Sequence, residues 1–289
     1  MKVKKFFKRL IQGCLTTSAQ LGLSGKKYGY YIPYPYANDN CRKKDLYPLK
    51  AVDAILQKHL PDFEDLCKQT AQYNKQFETF KKSSKFTPLA PRFNQDWFSG
   101  IDGAFAYALT RILKPAKIIE VGTGFSTRFL AQGVKDGGFD NLLYSVNPKE
   151  LHGEAKLCHK FFNCTLDKVP LSLLTDLKAG DILFIDGSHL FMAGTDLEVI
   201  FLQVLPLLPK GVYIHFHDIF LPDDYPSDED WNWWSFNEQT VLALLLTCGG
   251  YQPVTACAYL RKYHPQMLEG INAPCHPRAH ESSFWLVKK

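Results

Sequence analysis

The chain has 289 residues, of which 46% are hydrophobic and 14% aromatic, and a formal net charge of +5. That length suits one domain with an appendage, and that apolar fraction fills an ordinary globular core, which excludes a disordered chain. Beyond a basic start (Lys2, Lys4, Lys5, Lys8, Arg9) the charges are mixed in sign, so no basic stripe marks a nucleic-acid binder; nor does any window hold the ~18 uninterrupted apolar residues of a membrane span.

Residues 1–84 read as an N-terminal helical accessory region, with a Tyr/Pro-rich interruption at 28–36 and a Lys-rich exit at 81–85. Phe6, Phe7, Leu10 and Ile11 fall on one face of a short basic helix. Two readings stay open for it: docking on its own domain, or weak peripheral contact with anionic lipid. A secretory leader is disfavoured, because Lys8, Arg9 and Gln12 interrupt the apolar run before Cys14. The eight cysteines (14, 41, 67, 158, 164, 248, 257 and 275) form no C-x-x-C pair and no His/Cys set with zinc spacing. Reduced thiols in a cytoplasmic compartment follow as the expectation.

Residues 85–289 read as the catalytic domain. From about residue 100 helices and strands alternate, which predicts a parallel sheet with helices on both faces. The pattern predicts a helix over 103–113, closed by Pro115, and a buried strand at 117–121. A glycine turn follows, with a helix from about 126. Strands are predicted at 142–146, 160–164 and 181–185. A helix then runs through 205, and Pro209-Lys210-Gly211 turns the chain into a strand at 212–216. A helix near 237–247 ends at Gly249-Gly250, and strands at about 251–260 and 283–287 complete seven.

Three stretches carry chemistry. In the first, the strand Ile118-Ile119-Glu120-Val121 delivers Gly122-Thr123-Gly124 and then Phe125-Ser126-Thr127 at a helix start. Glycines let a backbone approach a ligand closely, and ligands of doubly wound sheets lie at the carboxyl ends of strands. The dinucleotide fingerprint wants a third glycine where Thr127 stands, and an acid after the second strand where Asn147 stands. Glu120 points instead to a cationic ligand, the methionine end of S-adenosylmethionine.

In the second, Asp186-Gly187-Ser188-His189 and His217-Asp218 end neighbouring buried strands on one face of the sheet. Two carboxylates brought together repel unless protonated or bridged by a cation. Asp186, His217 and Asp218 could therefore hold Mg2+ or another divalent cation with positions left for substrate. His189 could take a hydroxyl proton. The plainer alternative is that each Asp caps the next helix and that His215 faces the core with its nitrogens satisfied. In the third, an acidic and aromatic loop runs from Phe220 through Asp223, Asp224, Tyr225, Asp228, Glu229 and Asp230 to Trp231, Trp233 and Trp234. It suits a lid over a hydroxylated or glycosylated acceptor, or a seal against the N-terminal helices.

At these residues the sequence resembles a known group. IIEVGTGFSTRFLA, GDILFIDGSH, LPLLPKGVYIHFHDIFLPDDYP and FNEQ are similar to bacterial class I methyltransferases of the Methyltransferase-24 type, from about Arg92 to Leu286. The resemblance implies a Rossmann-like α/β fold, a seven-stranded, mostly parallel sheet whose last strand is antiparallel. It also implies S-adenosylmethionine as donor, a divalent cation near Asp186, His217 and Asp218, and His189 as general base. The candidate cofactor residues are Glu120, Gly122, Thr123, Gly124, Ser126, Thr127, Asn147, Asp167 and Asp186. Such sequences end the second strand with an acid that holds the ribose; an amide at Asn147 offers hydrogen bonds without charge.

The expected activity is methylation of a hydroxyl on a sugar or other small acceptor, with Asp186, Asp218 and His189 as catalytic residues and no nucleic-acid partner. A nicotinamide-dependent oxidoreductase or a non-catalytic binding protein could use the same fold.

Overall fold

The computed structural model describes residues 2–23, 46–84, 86, 89–140, 142–150, 153–227, 231 and 234–289. It divides into two compact units, Met1–Leu46 and Tyr47–Lys289. Among its described residues the first holds one helix, α1 (Lys2–Gln20). On it Phe6, Phe7, Leu10 and Ile11 are each more than half exposed, whereas Thr16 and Ala19 are buried.

The second unit opens with three helices, α2 (Lys50–Lys58), α3 (Leu60–Ala71) and α4 (Asn74–Lys82). Each is amphipathic and buries a narrow stripe: Val52 and Leu56, then Phe63, Leu66 and Cys67, then Phe77 and Phe80. The helix α5 (Gly100–Leu113) is buried along most of its length, and Lys114 ends it in the left-handed conformation before Pro115. Phe77 and Phe80 meet Phe93, Tyr107 and Phe129 edge-on at 5.2 to 6.1 Å between ring centres. These aromatic contacts join α4 to α5 and to the helix behind the glycine turn.

Alternation then sets in. Strand β1 (Lys117–Val121) leads to α6 (Phe125–Gly137), and β2 (Leu142–Val146) is followed by β3 (Lys160–Phe162). The short α7 (Leu171–Thr175) precedes β4 (Ile182–Ile185), and α8 (Asp196–Val199) precedes β5 (Tyr213–Phe216). The chain closes with α9 (Glu238–Thr247), β6 (Tyr251–Ala256), α10 (Cys257–Tyr263) and β7 (Phe284–Lys288). The sheet order is β3-β2-β1-β4-β5-β7-β6, with β7 antiparallel to both neighbours and the other pairings parallel. This is the expected seven-stranded mixed sheet. Its central strands are buried on both faces, as continuous runs such as Ile182-Leu183-Phe184-Ile185 require.

The strand expected over 251–260 stops at Ala256, and the chain turns into α10. Cys257 and Leu260, three residues apart, are fully buried, while Arg261 and Lys262 are exposed. Helical spacing prevails over the apolar run. The π turn at Ile200–Val204 prolongs α8 towards Pro206.

Register places the candidate residues. Val121 pairs with Val146 on one side and Ile185 on the other, and Ile185 pairs with Phe216. The residues that follow, Gly122, Asn147, Asp186 and His217, therefore leave the sheet side by side at its carboxyl edge. Gly122 has φ +90°, and a Cβ there would collide with the carbonyl oxygen of Asp186. A Cβ at Gly124 would meet open space. Gly122→Ala is expected to lower the unfolding free energy by about 2 kcal/mol or more, and Gly124→Ala to leave it nearly unchanged. Urea denaturation followed by circular dichroism checks both.

Candidate active site

The glycine turn is built around a buried carboxylate. Glu120 is fully buried. Ser126 Oγ donates to its Oε1 at 2.7 Å; Thr127 Oγ1 and Ser145 Oγ donate to Oε2 at 2.7 and 3.1 Å. Thr123 Oγ1 lies 2.6 Å from Ser145 Oγ, and the Gly124 amide donates to Thr127 Oγ1. Burial pushes the Glu120 pKa up to about 8 against the pull of these hydroxyls. The carboxylate thus fixes the turn, and the exposed side of the turn is its backbone at Gly124.

Asn147 is half-buried just past β2, where its amide donates to the Phe162 carbonyl at 3.1 Å. Asp167 is exposed on a 3-10 turn beyond β3. Two basic residues flank the helix start: the guanidinium carbons of Arg92 and Arg128 lie 4.8 and 4.7 Å from the Phe125 ring centre. Arg128 is ion-paired at 2.7 Å with buried Glu154. Arg92 has a buried Nε without a hydrogen-bond partner. Burial and then the neighbouring Arg128 depress its pKa.

At the ends of β4 and β5 four predicted residues come together. His189 Nε2 lies 3.4 Å from Asp186 Oδ1 and 3.6 Å from Asp218 Oδ2. His217 Nδ1 lies 3.7 Å from Asp186 Oδ1 and 3.4 Å from Asp218 Oδ1. The two imidazoles thus sit between the two carboxylates. His189 and Asp218 both have φ +57°, a left-handed backbone rare outside glycine that costs on the order of 1 kcal/mol.

Two acids that the sequence reading missed anchor the outer faces of these rings. Glu238, the first residue of α9, is buried and bonds His189 Nδ1. Asp102, in the first turn of α5, is fully buried and lies 3.3 Å from His217 Nε2. It also accepts the amides of Ser282 and Ser283 at 3.0 and 2.9 Å. The FNEQ string holds Glu238, but local pattern ties neither acid to a histidine 49 or 115 residues away.

The electrostatics follow. Burial pushes the His189 pKa down, but Glu238, Asp186 and Asp218 outweigh it and hold the ring protonated well above its ordinary range. Burial likewise opposes the charge on His217, and Asp218, Asp186 and Asp102 raise its pKa to about 10. Burial around Asp186 would raise its pKa, yet the nearby imidazoles, His217 foremost, keep it below the usual carboxylate range. His215 is the neutral one: burial and His217 hold its pKa well below normal. It stacks on Phe184 at 3.6 Å and bonds Ser283 Oγ at 2.9 Å, but its Nδ1 has no partner, contrary to the expectation of satisfied nitrogens.

This donor set does not fit the expected divalent cation. Ser282 Oγ donates to Asp218 Oδ1 at 3.0 Å. Among the described residues no group of three or more His, Cys, Asp or Glu is arranged to hold a metal ion.

Aromatic side chains surround the mouth. The Phe236 ring lies 4.5 Å from His189 and 5.6 Å from Trp231, which lies 5.0 Å from Phe220. Trp234 is 57% exposed. Asp228, Glu229, Asp230 and Trp233 lie outside the described residues. A cavity of about 700 Å³ adjoins this cluster beyond β5, lined by Phe220, Asp223, Arg261, Lys262 and Glu281 among others.

The seven-stranded sheet, with the glycine turn and the acids at its carboxyl edge, is a Rossmann-like methyltransferase fold. Residues 119–219 match the family model Methyltransf_24, described as a methyltransferase domain. No curated protein matches the chain. Similar solved structures include the SAH-bound Podospora anserina methyltransferase PaMTH1, at 16% identity and TM-score 0.41, over 90% of this chain and 99% of that one. The plantazolicin methyltransferase BpumL in complex with SAH is similar at 13% identity and TM-score 0.39, over 81% and 98%. Its complex with a monoazolic desmethylPZN analog and SAH is similar at 14% identity and TM-score 0.36, over 84% and 96%.

Removing His217 leaves Asp102 without its ring partner and Asp186 and Asp218 with His189 alone. His217→Ala is expected to destabilise the protein by about 3–5 kcal/mol. A histidine whose pKa is raised on folding stabilises fully below its unfolded value of 6.5, and that contribution is lost as pH rises through about 10. The wild-type loss of stability between these pH values should therefore flatten in His217→Ala, measured by urea unfolding across that range.

Proposed function

We propose that this chain is an S-adenosylmethionine-dependent O-methyltransferase acting on a hydroxyl of a sugar or other small acceptor. The observation that carries this reading is the Glu238–His189 pair, whose free ring nitrogen faces Asp186 and Asp218 beside the open backbone of Gly124. Bound there, the donor supplies a methyl group already activated by positive sulfur.

Gly122, Thr123 and Gly124 give it a close backbone approach. Glu120, with Ser126 and Thr127 on its oxygens, holds that backbone in place and places negative charge behind it. Asn147 and Asp167, beyond β2 and β3, are the candidate contacts for ribose and base. Arg92, half-buried and with no carboxylate paired to it among the described residues, suits the carboxylate of the methionyl end. The acceptor would lie beside His189, with the aromatic faces of Phe236 and its neighbour Trp231 around its hydroxylated rings. Asp186 and Asp218 orient the reacting hydroxyl, and His189 Nε2 takes its proton, with Glu238 stabilising the imidazolium that forms. Positioning contributes most of the acceleration. We assign residues 85–289 to the catalytic domain and 1–84 to an accessory region. The described cysteines are free thiols, which supports cytoplasmic placement.

Calorimetry with S-adenosylmethionine tests the donor. A cationic ligand favours ionised Glu120, so binding should release protons, and affinity should rise as pH climbs towards about 8. Glu120→Gln should abolish both effects. Arg92→Ala should weaken S-adenosylmethionine roughly tenfold, the loss of one charge-assisted hydrogen bond, but leave 5′-methylthioadenosine, which lacks the carboxylate, unaffected. Protection from unfolding by NAD and not by S-adenosylmethionine would overturn the reading in favour of a nicotinamide enzyme.

The base has its own signature. His189 must be neutral to accept a proton, and its carboxylate neighbours hold it protonated, so kcat/KM should rise with pH through neutrality. Glu238→Gln removes one negative charge and should move that rise to lower pH, whereas His189→Asn should reduce kcat by roughly 10²–10⁴-fold. A pH–rate profile unchanged in Glu238→Gln would remove His189 from this role.

A further inference from the structure

We propose that helix α1 lies flat in the surface of an anionic lipid bilayer, with its apolar face in the lipid and its basic face towards the headgroups. At 100° per residue Phe6, Phe7, Leu10 and Ile11 fall within an arc of about 140°. Structure shows that arc turned to solvent: Phe6 is 63% exposed, Phe7 56%, Leu10 52% and Ile11 57%. The two residues the helix does bury, Thr16 and Ala19, lie outside that arc, so burial falls on the opposite side from the large apolar groups. Four bulky side chains on one exposed face are a binding surface, not scattered surface residues.

Charge decides the occupant. Lys4 and Lys8 are exposed beside the apolar arc, and Lys2, Lys5 and Arg9 complete five basic residues within the first nine. No acidic residue occurs before Asp39. A face with this composition complements negatively charged headgroups. A second copy of the same helix would set lysine against lysine, so pairing between copies is disfavoured by the charge that favours lipid. No helix among the described residues is long and apolar enough to cross a membrane, so an in-plane position is the one available to α1. Its 19 residues would lie along about 28 Å of surface. Lysine stems can keep their ammonium groups at headgroup level while the phenyl rings insert below.

Co-sedimentation of the full chain with vesicles tests this. Vesicles of equal phosphatidylglycerol and phosphatidylcholine should retain at least fivefold more protein than phosphatidylcholine alone, and 0.5 M salt should remove most of the difference. Phe7→Glu/Ile11→Glu should reduce retention to the phosphatidylcholine level, and Lys4→Glu/Lys8→Glu should do the same. Glutamate suits an exposed helix, and unchanged circular dichroism and melting temperature confirm that the variants fold. Absence of retention on anionic vesicles, or equal retention of the Phe7→Glu/Ile11→Glu variant, would overturn the proposal. So would a wild-type dimer in solution that the same variant converts to monomer, since that result gives the face to a second copy.

Discussion

Two carboxylates on adjacent parallel strands cannot share one cleft unless something positive stands between them, and this structure meets that requirement with two imidazoles. The register Ile185↔Phe216 forces Asp186 and His217 into adjacency, and the turn after each strand adds His189 and Asp218. Asp102 and Glu238 then fix the outer nitrogen of each ring. Because α5 supplies Asp102 and α9 supplies Glu238, the network ties the helix before β1 and the helix before β6 to the centre of the sheet. A buried network of this kind is costly when incomplete, so each member constrains the rest.

The charge inventory of the site has a chemical consequence. Asp102, Asp186, Asp218 and Glu238 gather around His189 and His217, and burial pushes the Glu238 pKa up. Acids outnumber the imidazoles in this cluster. Such a cleft favours a cationic ligand and disfavours a pyrophosphate.

Much of this was legible in the sequence because burial on both faces of a parallel sheet leaves unmistakable apolar runs. β1 and β2 coincide with the segments read from Ile118-Ile119 and Leu143-Tyr144, and the ends of β4 and β5 were marked by Asp186 and His217. The class of fold and the residues that meet at its carboxyl edge followed from those ends. Glu238 and Asp102 did not, since helix-borne acids look alike whether they face solvent or a histidine, and only tertiary packing separates the two. The turn to α10 was hidden for a related reason. Thr255-Ala256-Cys257-Ala258 is compatible with either period, and the choice falls to Cys257 and Leu260 packing on one side. The metal expectation rested on residue type and adjacency along the sheet edge, whereas among the described residues no group of three or more such side chains is arranged to hold an ion.

The glycine turn shows why one motif supports two ligand classes and how this chain separates them. In a dinucleotide site the third glycine lets the helix pack close against the strand, and an acid after the second strand holds the ribose. Here the third position is Thr127, and its hydroxyl is spent on Glu120, together with those of Ser126 and Ser145. Ordering three hydroxyls around one buried carboxyl creates a turn whose interior becomes negative as Glu120 ionises towards pH 8 and whose glycine backbone is half-buried. A pyrophosphate at that helix start would face the field of Glu120 whenever it is ionised, whereas a sulfonium would strengthen its ionisation. The residue that departs from the nicotinamide fingerprint is thus the same one that bonds the buried carboxyl, so Thr127 and Glu120 form one unit and not two departures from a pattern.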